Sequence, residues 1–83
     1  MQVVWLLSRR ALRGCMYRLY EGFIEEGEDD YWWYTWDEVG SYTTLDGAVE
    51  DAAANNFLAY RVEYGDWGVV AEKGRWDDAP VYY

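Results

Sequence analysis

The sequence predicts an α+β domain: a two-layer antiparallel sheet of about five strands with one helix packed on one face, in the order β-β-β-α-β-β. Three observations predict it. Only one stretch, Thr43 to Phe57, has a helical period. The segments on either side read as strand-length runs of β-branched and aromatic residues or alternate strictly. The breaks between them carry hairpin-type turn residues. Eighty-three residues make one domain, 1–83, with no room for two cores and with 75–83 expected as a tail.

Val3 to Ser8 is a continuous apolar run that fits a central strand. Arg9 to Gly14 is basic and ends in glycine, as a turn does. From Cys15 to Phe23, Cys15, Tyr17 and Leu19 alternate with Met16, Arg18 and Tyr20, the period of a second strand. Glu25 to Asp30, EEGEDD, is an acidic turn. Tyr31 to Trp36, YWWYTW, is a third strand, paired with the second across that turn. Asp37 to Tyr42 leads into the helix.

In the helix, Leu45, Ala48, Val49, Ala52 and Ala53 fall on one stripe that Phe57 continues. Thr43 is the expected N-cap and Asp46 its capping-box partner, while Asn55 and Asn56 tolerate the backbone that leaves a helix. Next, Leu58, Tyr60, Val62 and Tyr64 alternate with Ala59, Arg61 and Glu63. Gly65-Asp66 is a hairpin signal requiring positive φ, and Trp67 to Lys73 returns as the fifth strand. The last residues, Val81-Tyr82-Tyr83, are apolar enough to dock on the domain or on a second copy.

Formal net charge is −9, unevenly distributed. Residues 1–20 hold Arg9, Arg10, Arg13 and Arg18 and no acid; residues 21–83 hold all sixteen acids against Arg61, Lys73 and Arg75. Such a surface repels nucleic acid and anionic membranes and attracts basic partners, although acidity also keeps a chain rich in Tyr and Trp in solution. Cys15 is the sole cysteine, so no intramolecular disulfide forms, and there is no histidine. The N-terminal apolar run lacks the charge pattern and cleavage site of a signal peptide and is too short to span a bilayer, so the expected compartment is the cytoplasm.

The candidate partner-binding residues are Glu25, Glu26, Glu28, Asp29, Asp30, Trp33, Asp46, Glu50 and Asp51. Five acids in six residues do not pack, so the turn is either solvated or bound to something basic. As a metal site it lacks the alternating ligands of a calcium loop. On the helix, Asp46 and Glu50 stand at i, i+4 with no lysine between them, a spacing at which like charges repel. Rows of carboxylates can imitate the field of DNA and occupy a basic groove. Of Trp32, Trp33, Tyr34 and Trp36, alternate members are expected to be core; the outward ones are interface anchors or a stacking platform for sugar rings. With no histidine and no base beside its one cysteine, the chain has none of the usual nucleophile arrangements. Carboxylate pairs leave glycoside hydrolysis formally open, but 83 residues leave little volume for its cleft. We therefore expect neither catalysis nor a cofactor.

The succession VVWLLSRR, an aromatic hairpin, YTTLDGAVEDAAANN and AYRVEY resembles small phage-encoded accessory proteins, and the acidity and size are similar to those of anti-CRISPR proteins. That resemblance implies an inhibitor of a CRISPR effector complex that blocks DNA or RNA engagement in the host cytoplasm. It assigns no residue a role. Two other readings stay open: a carbohydrate- or peptide-binding module using an exposed Trp/Tyr sheet face, and a virion assembly protein that dimerises through that face.

Overall fold

The computed structural model describes residues 16–83. The expected strand from Val3 to Ser8, the basic turn after it and Cys15 lie outside the described residues. Within them run β1 (Tyr17–Glu26), β2 (Trp32–Tyr42), helix α1 (Leu45–Ala54), β3 (Tyr60–Tyr64), β4 (Gly68–Lys73) and β5 (Val81–Tyr82). The strands form one five-stranded antiparallel sheet in the order β2-β1-β3-β4-β5. The fold is the α+β domain expected, with a helix on one face of an antiparallel sheet. Its fifth strand here is the chain's end, which pairs Tyr82 with Ala71 and Val81 with Glu72.

The helix begins one residue later than expected. The N-cap is Thr44, whose Oγ1 accepts from the Gly47 N–H at 3.0 Å. Gly47 then holds the third helical position and has no side chain to reach back, so no capping box forms. Asp46 stands in the first turn, where the helix dipole favours an anion. At the other end Asn56 turns left-handed at φ 58°, and the Phe57 and Asn56 N–H groups return to the Ala52 and Ala53 carbonyls, a Schellman closure with asparagine in glycine's place.

Ala48 and Ala52 are fully buried against Leu19, Tyr60, Val62 and Ala71. Leu45, Val49 and Phe57 pack on the margin of that cluster, while Ala53 is exposed. Small helix residues let α1 approach the sheet closely, at the start of β1 and the end of β2. A ten-residue helix is roughly 15 Å long. A ten-residue strand is roughly 33 Å long. The far half of the β1–β2 hairpin therefore projects past the helix as an arm.

Core membership of the aromatic run is the main correction. None of Trp32, Trp33, Tyr34 and Trp36 is buried: the first two are exposed and the other two half-buried. Trp33 lies on the arm beyond the helix, and Trp32, Tyr34 and Trp36 alternate onto the face of the sheet that the helix does not cover. The strands there are also longer than the sequence indicates. β1 runs into the acidic stretch through Glu26, and β2 continues to Tyr42 through residues expected as a lead-in. Pairing with β1 from Tyr17↔Tyr42 to Glu26↔Trp32 outweighs the weak strand propensity of Asp37 to Ser41, and a bulge at Val39 absorbs one extra residue.

Tyr42 ties β2 to α1: its hydroxyl donates to Asp51 Oδ2. Burial, then that hydrogen bond and the Asp51 charge, pushes the phenol up to about 12 from its ordinary 10.0. A raised folded-state value means the neutral phenol stabilises the fold. That stability is fully present below pH 10 and is lost as pH rises toward about 12. The denaturation midpoint is expected to fall across this window, and to fall less steeply in Tyr42→Phe.

Candidate docking surface

Residues paired across neighbouring strands share a face. Leu19 lies under the helix, so Glu21, Phe23 and Glu25 of β1, and their partners Asp37, Thr35 and Trp33, continue the helix side of the sheet along the arm. Glu21 stands directly opposite Asp37. Like charges so placed destabilise a hairpin. Further along the same face, Glu25 stands opposite Trp33. Beyond them the turn carries Glu28, Asp29 and Asp30, all exposed.

The five-residue connection 27–31 contains a β-turn over Glu28–Tyr31, closed by Tyr31 N–H to the Glu28 carbonyl at 3.1 Å, with Gly27 N–H to the Tyr31 carbonyl at 2.7 Å. Asp29 and Asp30 are both left-handed, at φ 59° and 63°. This is a type I′ geometry, where Asn-Gly is the relaxed choice and a carboxylate pair is not. Replacing Asp29-Asp30 by Asn-Gly is expected to raise stability by about 1 kcal/mol, read as a higher urea midpoint at constant m-value. An unchanged or lower midpoint would mean that the turn is not strained.

Trp33 folds its indole over Gly27, where a Cβ would stand 3.0 Å from Cζ3. Tyr31 stacks against Trp33 at 5.5 Å. The tip thus presents two aromatic anchors, with Phe23 behind them, inside a rim of carboxylates. Glu26 is on the opposite face, beside Trp32. Asp46 and Glu50 are exposed on α1, roughly 20 Å from the tip along the strands. Asp51 is half-buried and accepts from Tyr42 and from Asn55 Nδ2, so it braces the fold. The sequence reading missed Glu21 and Asp37. Period-2 counting back from the turn places them opposite each other once β1 is extended to Glu26.

Charge compensation is scarce. Among the described residues the two salt bridges both end on Glu63, from Arg18 at 3.6 Å and Arg61 at 3.0 Å. Lys73 donates to the Leu58 and Gly74 carbonyls at 2.8 and 3.2 Å. None of the carboxylates on the arm has a salt-bridge partner among these residues. No three or more His, Cys, Asp or Glu side chains among them converge to hold a metal ion. No helix among them is long and apolar enough to cross a membrane.

The helix-free face is aromatic. Trp32, Tyr34 and Trp36 succeed one another along β2, with rings 5.4 and 5.2 Å apart, and Trp76 of the 74–80 loop packs edge-on to Trp32 at 5.3 Å. The Tyr34 hydroxyl accepts from the Arg75 N–H at 3.0 Å. Trp36 lies across Gly22, where a Cβ would meet its Cζ3 at 2.7 Å, and the Arg61 guanidinium stacks on its indole at 4.6 Å.

No protein-family model, curated protein or solved structure matches this chain.

Proposed function

We propose that this protein is a non-enzymatic acidic inhibitor, of the anti-CRISPR kind, whose hairpin arm docks on the basic nucleic-acid-binding surface of an effector complex and blocks DNA or RNA engagement. The observation that carries the reading is the Glu21–Asp37 pair. Two carboxylates facing each other across a hairpin, without a salt-bridged cation among the described residues, oppose folding; a basic partner relieves them. The same face continues through Glu25 to Glu28, Asp29 and Asp30, and the strained left-handed aspartates at the tip fit the same account. Trp33, Tyr31 and Phe23 supply the apolar anchor, and Asp46 and Glu50 extend the field along α1. Salt release from both surfaces favours the encounter, as it does for DNA.

The test is a set of purified CRISPR effector complexes, assayed for gel shift of matched target nucleic acid with and without the protein. Expected is loss of the shift for at least one complex, with an inhibition constant that weakens steeply between about 50 and 200 mM salt. Inhibition indifferent to salt, or none across the effector types, overturns the reading.

The Trp32–Tyr34–Trp36 row favours a second reading, a carbohydrate- or peptide-binding module using the helix-free face. Its binding tolerates high salt and fails in Trp36→Ala, opposite to the first.

A further inference from the structure

A groove of about 310 Å³ opens on the helix-free side, between the β2 aromatics and the end of the chain, where Tyr34, Trp36 and Tyr83 face Glu72 and Asp77. Each carboxylate is held by one hydrogen bond. The Tyr83 hydroxyl donates to Glu72 Oε1, and the Gly74 N–H donates to Asp77 Oδ2 at 3.0 Å. Glu72 Oε2 and Asp77 Oδ1 take no hydrogen bond among the described residues. Lys73 also lines the groove, but its ammonium is engaged by the Leu58 and Gly74 carbonyls. The groove is thus walled by rings and edged by two carboxylates with spare acceptor capacity. Its volume lies at the small end of ligand sites, right for one long side chain.

We propose that this groove is a guanidinium slot that receives an arginine side chain from a basic partner. It deepens the docking reading above and rests on it for the source of the arginine. The chain contains its own precedent. Arg61 lies over the Trp36 and Tyr20 rings at 4.6 and 5.4 Å while its Nη2 meets Glu63 at 3.0 Å, and its buried Nε takes no hydrogen bond. A planar cation is thus held here by aromatic faces plus one carboxylate, and the groove offers rings with two. Arginine suits it better than lysine because its planar fork both stacks on rings and bridges carboxylates, whereas an ammonium is a strongly hydrated point charge. Glu72 stands opposite Arg61 across β3–β4 with no salt bridge between the two, and a sugar ring would use the rings but form no ion pair with either carboxylate.

The probe is N-acetyl-L-arginine methylamide, titrated into the full-length protein and followed by the Trp36 indole N–H in ¹⁵N–¹H spectra. N-acetyl-L-lysine methylamide and a neutral hexose oligomer are run in parallel. Expected is saturable arginine binding in about the millimolar range, the affinity of a single side chain. Glu72→Gln with Asp77→Asn keeps both existing acceptors, removes both charges, and should weaken binding at least about tenfold. Equal response to lysine, a response to the hexose alone, an unchanged constant in the double variant, or no saturable shift each overturns the slot. Glu28→Gln, which touches only the arm, should leave the arginine constant unchanged while weakening effector inhibition. The slot and the arm therefore fail separately.

Discussion

Changing Glu21, Glu25, Glu28 and Asp37 each to lysine is expected to weaken binding to the inhibited effector by at least about 10³-fold. That is roughly 4 kcal/mol, or about 1 kcal/mol for each charge. An exposed ion pair alone gives at most about that much. Reversal adds repulsion to the lost attraction, so the figure is a floor. These four positions avoid the left-handed residues at 29 and 30, where lysine would strain the turn. They also preserve the stability balance, because the two ammonium groups introduced in place of Glu21 and Asp37 would repel across the hairpin as the native carboxylates do. Near-UV circular dichroism and the urea midpoint should therefore match the native protein while the salt slope of inhibition shrinks, by close to one unit per charge. A folded variant that still inhibits within a few-fold would remove the arm from the interface. Asp37→Lys alone is a control in the other sense. It turns the opposed pair into an attractive one and should stabilise the hairpin by about 0.5–1 kcal/mol while still weakening inhibition.

The fold was readable where local physics and tertiary demand coincide. Ala48 and Ala52 fall on the predicted stripe and are the residues that meet the sheet. Tyr60 and Val62 alternate as read and are buried, and Gly65 takes the positive φ that its hairpin requires. Reading failed where a partner strand decided the outcome. The strand character of Asp37 to Ser41 resides in its pairing with β1, which no local window contains. The same blind spot hid the acidic face of the arm. Glu25, Glu28, Asp29 and Asp30 announce themselves by density in sequence, but Glu21 and Asp37 become a pair only through register. Asp51 belongs to the acidic helix face in sequence, yet a tyrosine nine residues earlier holds it. Hydrophobicity also misled. A run as apolar as YWWYTW implies burial, yet Trp32, Tyr34 and Trp36 alternate onto the face away from the helix, and a ten-residue helix does not reach along the eleven-residue β2 to Trp33.

Leu19→Ala should remove about 3–5 kcal/mol of stability, the largest effect of any single substitution argued from this fold. Leu19 is fully buried on β1, one of the inner strands, opposite Gly40 on one side and Val62 on the other, and packs in one cluster with Ala48 and Ala52. Leu19 and Val62 are the largest fully buried side chains among the described residues. Truncations of this kind cost about 2–5 kcal/mol, and more where neighbours cannot collapse into the space. Its neighbours Gly40, Ala48 and Ala52 are small, and Tyr60 and Val62 are fixed in the adjacent strand. Glycine and alanine have no longer side chain to swing inward, and the helix backbone already sits close, so the cavity persists and the cost lies toward the upper end. A domain of 83 residues has about 4–12 kcal/mol in total. The variant should therefore lose a large share of its stability, with a melting midpoint lower by about 4–8 °C for each kcal/mol. Trp33→Ala deletes a far larger side chain on the exposed arm and should move the midpoint much less. Equal losses for the two would place the stabilising core on the arm instead of beneath the helix, and the division of this protein into a small buried core and an exposed arm would fall with it.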